Sequence, residues 1–182
     1  MAASSDPTII ADANEAAVAV AHALNELGYE TDFSIDSLRE VERFFLESTS
    51  PGTANPSGLF PQRLAPRPFA IGPRLGEVIR KYTVDDSASR AEENFDLLGS
   101  QLFAIGAYVG EVIRRECSAR WEGSDSDPLT EWSIALELPN NRVIWPVHRI
   151  IARFLNGPGD NVYHYGALIV DLSKRPSGNS EK

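Results

Sequence analysis

Two stretches of the chain repeat almost the same fourteen residues, and each contains glycines four positions apart. Residues 69–82 read FAIGPRLGEVIRKY and residues 103–116 read FAIGAYVGEVIRRE, so nine of fourteen positions are identical at an offset of 34. On a helix, residues four apart share a face, and a glycine pair there lets another backbone approach closely. The repeat therefore predicts two antiparallel helices that cross through their glycine faces, with Leu97–Cys117 as the central buried helix.

The repeat occurs only twice, which argues against a helical-repeat array. Such arrays need at least about three copies to bury a continuous core. We therefore interpret the repeat as a local duplication within one domain. Pro73 lies inside the first copy. Because proline removes a backbone donor from a helix interior, this helix is expected to begin near Pro73 or to be kinked there.

The N-terminal part of the chain has the pattern of two amphipathic helices. Asp6 and Pro7 form a helix start, apolar residues then recur at helical spacing, and Gly28 is a typical stop. A second helix is predicted over residues 37–47, where Ser37 and Glu40 have the spacing of a capping box.

Residues 49–68 are rich in proline and cannot form a regular helix. They are either a linker or an ordered loop that wraps the core. The loop is the favoured reading, because Leu59, Phe60 and Leu64 give it side chains to bury.

The C-terminal third changes to the alternating pattern of half-buried strands. Residues 132–138 and 142–145 predict a hairpin across a Pro-Asn-Asn turn, and residues 120–122 are a candidate third strand. Pro146 then opens one helix, and Asp160 caps a last one.

Together these patterns predict a mostly helical α+β single domain with four or five helices and one small antiparallel β-hairpin. The predicted globular domain covers 1–173, followed by a flexible tail over 174–182. Within it we distinguish an acidic helical part, a proline-rich loop, a duplicated helical unit, and a hairpin with two helices, at 6–48, 49–68, 69–117 and 120–173.

Negative charge is concentrated at the N-terminus. The 182-residue chain carries a formal net charge of −9. The first 38 residues contain no Lys or Arg and seven acids, namely Asp6, Asp12, Glu15, Glu26, Glu30, Asp32 and Asp36. Such a field repels nucleic acid and favours a basic protein partner, which these seven residues would bind. The alternative is that they line an ordinary solvated helix face.

A second set of residues could form a pocket for a small ligand. Glu77 and Glu111 occupy equivalent places in the repeat, and paired carboxylates can divide acid and base roles. Arg114, His148 and Tyr163 could complete such a pocket. The simpler alternative is that each glutamate forms helix-surface ion pairs with the basic residues three and four positions later.

Other classes of site have no sequence support. The single cysteine, Cys117, cannot form an intramolecular disulfide, and the three histidines lack metal-ligand spacing, so no metal and no cofactor is predicted. Nucleophile-elbow, phosphate-loop and dinucleotide-binding motifs do not occur. The absence of a signal peptide pattern or a long apolar run predicts a cytoplasmic protein without a membrane partner.

Part of the chain resembles a group of small uncharacterised bacterial domains. The pattern GAYxGExIRR is matched from Gly106 to Arg115, and the elements that follow match at Trp121, Trp145-Pro146, Arg153–Gly157, Asp160 and Tyr163. The resemblance implies a bacterial, cytosolic, helix-rich protein with a small hairpin. Some small acidic bacterial proteins are immunity proteins for toxins, which is a likeness of type only.

The expected function is therefore a non-enzymatic binding protein that neutralises or regulates a protein partner, an immunity-type role being its sharpest form. The alternative is a small-ligand sensor or enzyme with a pocket near Glu111, Arg114 and His148.

Overall fold

The computed structural model describes residues 8–48, 58–69, 71–82, 92–124 and 134–175, with side chains of 92–94 excepted. In these ranges it has six helices, α1 (Thr8–Glu26), α2 (Leu38–Ser48), α3 (Gly72–Tyr82), α4 (Glu92–Cys117), α5 (Pro146–Asn156) and α6 (Val162–Lys174). A 3-10 turn at Pro158–Asp160 joins the last two. The same ranges contain three strands, β1 (Arg120–Glu122), β2 (Ala135–Glu137) and β3 (Val143–Ile144).

The predicted class, a mostly helical α+β single domain, is confirmed. The described helices number six rather than four or five. The candidate third strand at residues 120–122 is confirmed, since β1 pairs antiparallel with β2, and β2 pairs antiparallel with β3. The predicted helix start at Asp6 and Pro7, residues 49–57 of the proline-rich loop, the first residues of the predicted strand at 132–133 and the tail over 176–182 lie outside the described residues.

Helix α4 is the centre of the fold, as predicted for Leu97–Cys117. Every residue from Leu98 to Ile113 is buried, and α1, α3, α5 and α6 all pack against this helix. A helix that is apolar on all sides is stable only when other elements surround it. Two of its buried polar residues hold the neighbouring loop: Ser100 Oγ accepts from Phe69 N at 3.1 Å, and Gln101 Oε1 accepts from Leu59 N at 2.6 Å.

The prediction that the two glycine faces meet is wrong, although α3 and α4 do run antiparallel at close range. α3 begins at Gly72, as the position of Pro73 predicts. It packs onto Gly99, where an added Cβ would lie 2.7 Å from Gly76 N. Gly106 instead faces Val147, where a Cβ would lie 2.7 Å from that residue's Cα. The repeated faces therefore pack against different elements.

A buried ion pair joins α2 to α5 and to the start of α6. The Glu42 carboxylate accepts hydrogen bonds from Arg153 Nε at 2.7 Å and from Val162 N at 3.0 Å. The side chain of Glu42 is 8% exposed, and that of Arg153 is 2% exposed. Glu42 thus neutralises a buried cation and satisfies a free N–H of the first turn of α6.

Candidate functional site

The connection between α1 and α2 is held in place by hydrogen bonds that are buried or partly buried. Thr31 Oγ1 donates to Ala21 O at 2.9 Å, and Thr31 N donates to Asn25 Oδ1 at 2.9 Å. The Tyr108 hydroxyl accepts from Phe33 N at 3.2 Å and lies 2.6 Å from Ser37 Oγ. The Ser37 hydroxyl, which the sequence assigned to a capping box with Glu40, therefore contacts Tyr108 of α4.

A groove of about 420 Å³ opens on this connection. Four carboxylates, Glu30, Asp32, Asp36 and Glu40, line it together with one cation, Arg39. We call it the acidic groove. Counted formally, its charged lining carries −3, since four negative charges face one positive charge.

One carboxylate of the acidic groove, that of Asp32, is stabilised in its ionised form by hydrogen bonds. Hydrogen bonds from the side chain and the N–H of Ser34 lower the pKa of Asp32, and the N–H contact measures 2.9 Å. Asp36 forms an ion pair with Arg39 at 3.3 Å, but both side chains are more than half exposed. A pair in such contact with solvent is screened and weak, so it leaves the carboxylate available to a partner.

The structure divides the seven acids predicted to bind a partner. Glu30, Asp32 and Asp36 meet in the acidic groove, whereas Glu26 is exposed at the end of α1, and Asp6 lies outside the described residues.

Asp12 and Glu15 are held by a cation of this chain. Arg67 Nη2 lies 2.9 Å from Asp12 Oδ1, and Arg67 Nε lies 2.6 Å from Glu15 Oε1. The hydrogen bond from Arg67 lowers the pKa of Glu15. These two acids tie the described end of the proline-rich loop to α1.

Glu40 lines the acidic groove, but the sequence analysis did not identify it as a site residue, because it was assigned to helix capping.

Glu77 and Glu111 do not converge. Gly76, next to Glu77, packs on the backbone of Asp96. Glu111 lies fifteen residues further along α4, about 22 Å at the helical rise per residue. Glu77 pairs with Lys81 at the surface, 3.2 Å away. The simpler alternative, helix-surface ion pairing, describes this residue.

Glu111 is held by the two arginines that follow it. It is 8% exposed and accepts from Arg114 Nε at 2.7 Å and Arg115 Nε at 2.8 Å. Burial by itself would raise the pKa of Glu111, but the hydrogen bonds from both arginines together hold it below its ordinary value.

His148 and Tyr163 have other neighbours. The His148 ring stacks on Trp145, with ring centroids 6.4 Å apart. The Tyr163 hydroxyl accepts from Arg39 Nη2, and the Arg39 guanidinium lies 3.6 Å from the centre of the Tyr163 ring. Of the five residues of the alternative pocket, Glu111 and Arg114 contact each other, whereas Glu77, His148 and Tyr163 contact other residues.

Several chemical features limit what the described residues can do. Within the described ranges, no three His, Cys, Asp or Glu side chains converge to hold a metal ion. Burial raises the pKa of the Cys117 thiol, which disfavours the reactive thiolate. No helix in the described part of the chain is both long and apolar enough to cross a bilayer.

The chain matches no protein-family model, no curated protein and no solved structure. The resemblance to small bacterial domains therefore stays a prediction, and the argument for function depends on the geometry alone.

Proposed function

We propose that this protein is a non-enzymatic binding protein that binds a basic protein partner at the acidic groove. The observation that carries the proposal is the set of four carboxylates around one arginine at a solvent-open connection. Complementary charge of this kind accelerates association and fixes the orientation of a partner. The groove is held from below by Tyr108, so little conformational entropy is lost when a partner binds.

The partner that fits best presents lysine or arginine side chains on a protruding segment. Asp36 pairs with Arg39 and Glu40 pairs with Arg43 at 2.8 Å, which leaves Glu30 and Asp32 as the carboxylates least engaged with cations of this chain. We extend the proposal to a cytoplasmic, immunity-type role, in which the protein neutralises a basic bacterial toxin. An acidic groove is suited to covering a cationic surface of a toxin that acts on nucleic acid.

The test compares two variants of equal net charge. Each replaces three exposed acids by their amides and changes the formal charge from −9 to −6. The groove variant is Glu30→Gln, Asp32→Asn, Asp36→Asn, and the control variant, on α3, α4 and α6, is Glu77→Gln, Glu116→Gln, Asp171→Asn. Because amides preserve shape and, at Asp32, the hydrogen bond to Ser34, both variants are expected to fold.

The tagged wild-type chain is first used to capture a partner from host lysate, which native mass spectrometry identifies. The association rate of the purified partner is then measured at low and high salt. We expect the groove variant to slow association about tenfold at low salt and to flatten its salt dependence, since steering acts mainly on the association rate. The control variant should change it by less than about threefold. Equal effects of the two variants, or the capture of no protein, would refute the proposal.

A further inference from the structure

A second groove, of about 520 Å³, lies between the first half of α1 and β1. Its wall includes Ile10 and Asn14 of α1, Arg114 near the end of α4, and Trp121 of β1. We call it the α1–β1 groove. Its volume lies in the range of pockets that take small molecules. Ile10, Ala119 and Trp121 form its apolar side, and Asn14, Arg114 and the ion pair between Arg120 and Glu122 make the rest of the wall polar.

The end of the groove at Arg114 carries an excess of positive charge. Arg114 and Arg115 share the single carboxylate of Glu111, so the three groups together carry a formal charge of +1. Arg114 uses Nε and Nη2 on that carboxylate, at 2.7 and 2.9 Å. Within the described residues, its Nη1 group has no acceptor. The outer edge of the guanidinium is therefore free to bind a further carboxylate through two hydrogen bonds.

Trp121 supplies a second unused donor in the same wall. The residue is only 6% exposed, yet its indole N–H has no hydrogen-bond partner. The ring edge that adjoins Nε1 rests on α4, where a Cβ added to Gly110 would lie 2.6 Å from Trp121 Cζ2. Gly110 and Arg114 are one helical turn apart on one face, and Trp121 and Arg114 both line the groove. Buried donors are rarely left unpaired, and each exception calls for a partner.

We propose that the α1–β1 groove binds a small carboxylate with an apolar body. The carboxylate accepts hydrogen bonds from the outer edge of Arg114 and from the Trp121 indole. The apolar body lies along Ile10, and Asn14 closes the groove on the side of α1. This site is independent of the acidic groove, and it places small-ligand binding at Arg114 without Glu77, His148 or Tyr163.

The test follows the Trp121 indole signal by proton–nitrogen NMR of the labelled full chain. Three tryptophans give three indole signals, and the variants Trp132→Phe and Trp145→Phe remove the other two. The probe is 3-phenylpropionate, titrated at constant pH and ionic strength, with 3-phenylpropan-1-ol as its neutral analogue. We expect a saturable shift of the Trp121 signal with the acid, and affinity at least about tenfold weaker for the alcohol, because a charge-assisted bidentate contact is lost.

Two variants and one control decide which residues hold the probe. Arg114→Gln is expected to weaken 3-phenylpropionate binding at least about tenfold. Asn14→Phe fills the groove from an exposed position of α1 and is expected to abolish the shift, which keeps the test valid should Arg114→Gln unfold. Arg43→Gln is the matched control, because Arg43 also pairs with a glutamate three residues earlier and is similarly exposed. No saturable shift, equal binding of the alcohol, or unchanged affinity in Asn14→Phe would overturn the proposal.

Discussion

Replacing Glu42 by glutamine should destabilise the fold more than any other isosteric change on α2. Glutamine has the same shape but one acceptor oxygen instead of two. Either Arg153 or the Val162 N–H then loses its acceptor, and the Arg153 charge, 2% exposed, stays without a counter-charge. Breaking a buried pair in this way costs about 3–5 kcal/mol. A domain is stable by only about 5–15 kcal/mol, so the variant loses a large fraction of its stability.

Urea unfolding followed by circular dichroism measures this loss. We expect the midpoint to fall by at least about 1 M with an unchanged slope, since the surface exposed on unfolding is the same. The melting temperature should fall by about 6–20 °C.

Two further variants separate a buried pair from an ordinary one. Glu77→Gln removes an exposed pair with Lys81 and should change stability by less than about 0.5 kcal/mol. The double variant Glu42→Leu, Arg153→Met removes both charges and should be more stable than Glu42→Gln, because no buried charge is left alone. A loss below about 1 kcal/mol in Glu42→Gln, or a double variant less stable than the single one, would refute this reasoning.

Two other predictions concern packing and pH. Gly99→Ala should cost about 1–3 kcal/mol in thermal unfolding despite the better helix propensity of alanine, because the new Cβ meets the α3 backbone. Gly159→Ala, which meets no atom within 4 Å, should be nearly neutral, and equal effects would contradict the close approach. Burial raises the pKa of Tyr165 to about 12. Between about pH 10 and 12 the unfolded chain thus releases a proton that the folded chain keeps, and stability falls with rising pH. The urea midpoint of Tyr165→Phe should fall less steeply across this pH range than that of the wild type. Parallel plots of midpoint against pH for the two proteins would contradict the raised pKa of Tyr165.

Features that depend on neighbours along the chain could be predicted from the sequence. Residues 98–113 carry only one charged side chain, and this mostly apolar run identifies α4 as a central helix, because a helix that is apolar on most sides must be surrounded by other elements. Pro73 identifies the start of α3 for an equally local reason, since a proline fits the first turn of a helix.

Features that depend on distant parts of the chain could not be predicted. The repeated glycines have the same local sequence, but Gly72 and Gly76 pack on Gly99, which lies outside the repeat, and Gly106 packs on α5. Glu42 looked like a polar residue of an amphipathic helix. Its partner Arg153 is 111 residues away, and no local pattern distinguishes a buried glutamate from an exposed one.

Two polar residues of the C-terminal part of the resemblance, Asn156 and Asp160, lie where α5 meets α6. Arg149 Nη1 donates to one Asp160 oxygen at 2.8 Å, and Asn156 Nδ2 donates to the other at 2.7 Å. Gly157 makes the turn between them with a φ of 81°. Because both oxygens of Asp160 are used within the chain, this part of the pattern fixes how α5 meets α6. The proposed partner would therefore be recognised by groups that the fold leaves free of cations. In the acidic groove Asp36 pairs with Arg39 and Glu40 pairs with Arg43, so Glu30 and Asp32 are the carboxylates that meet this condition.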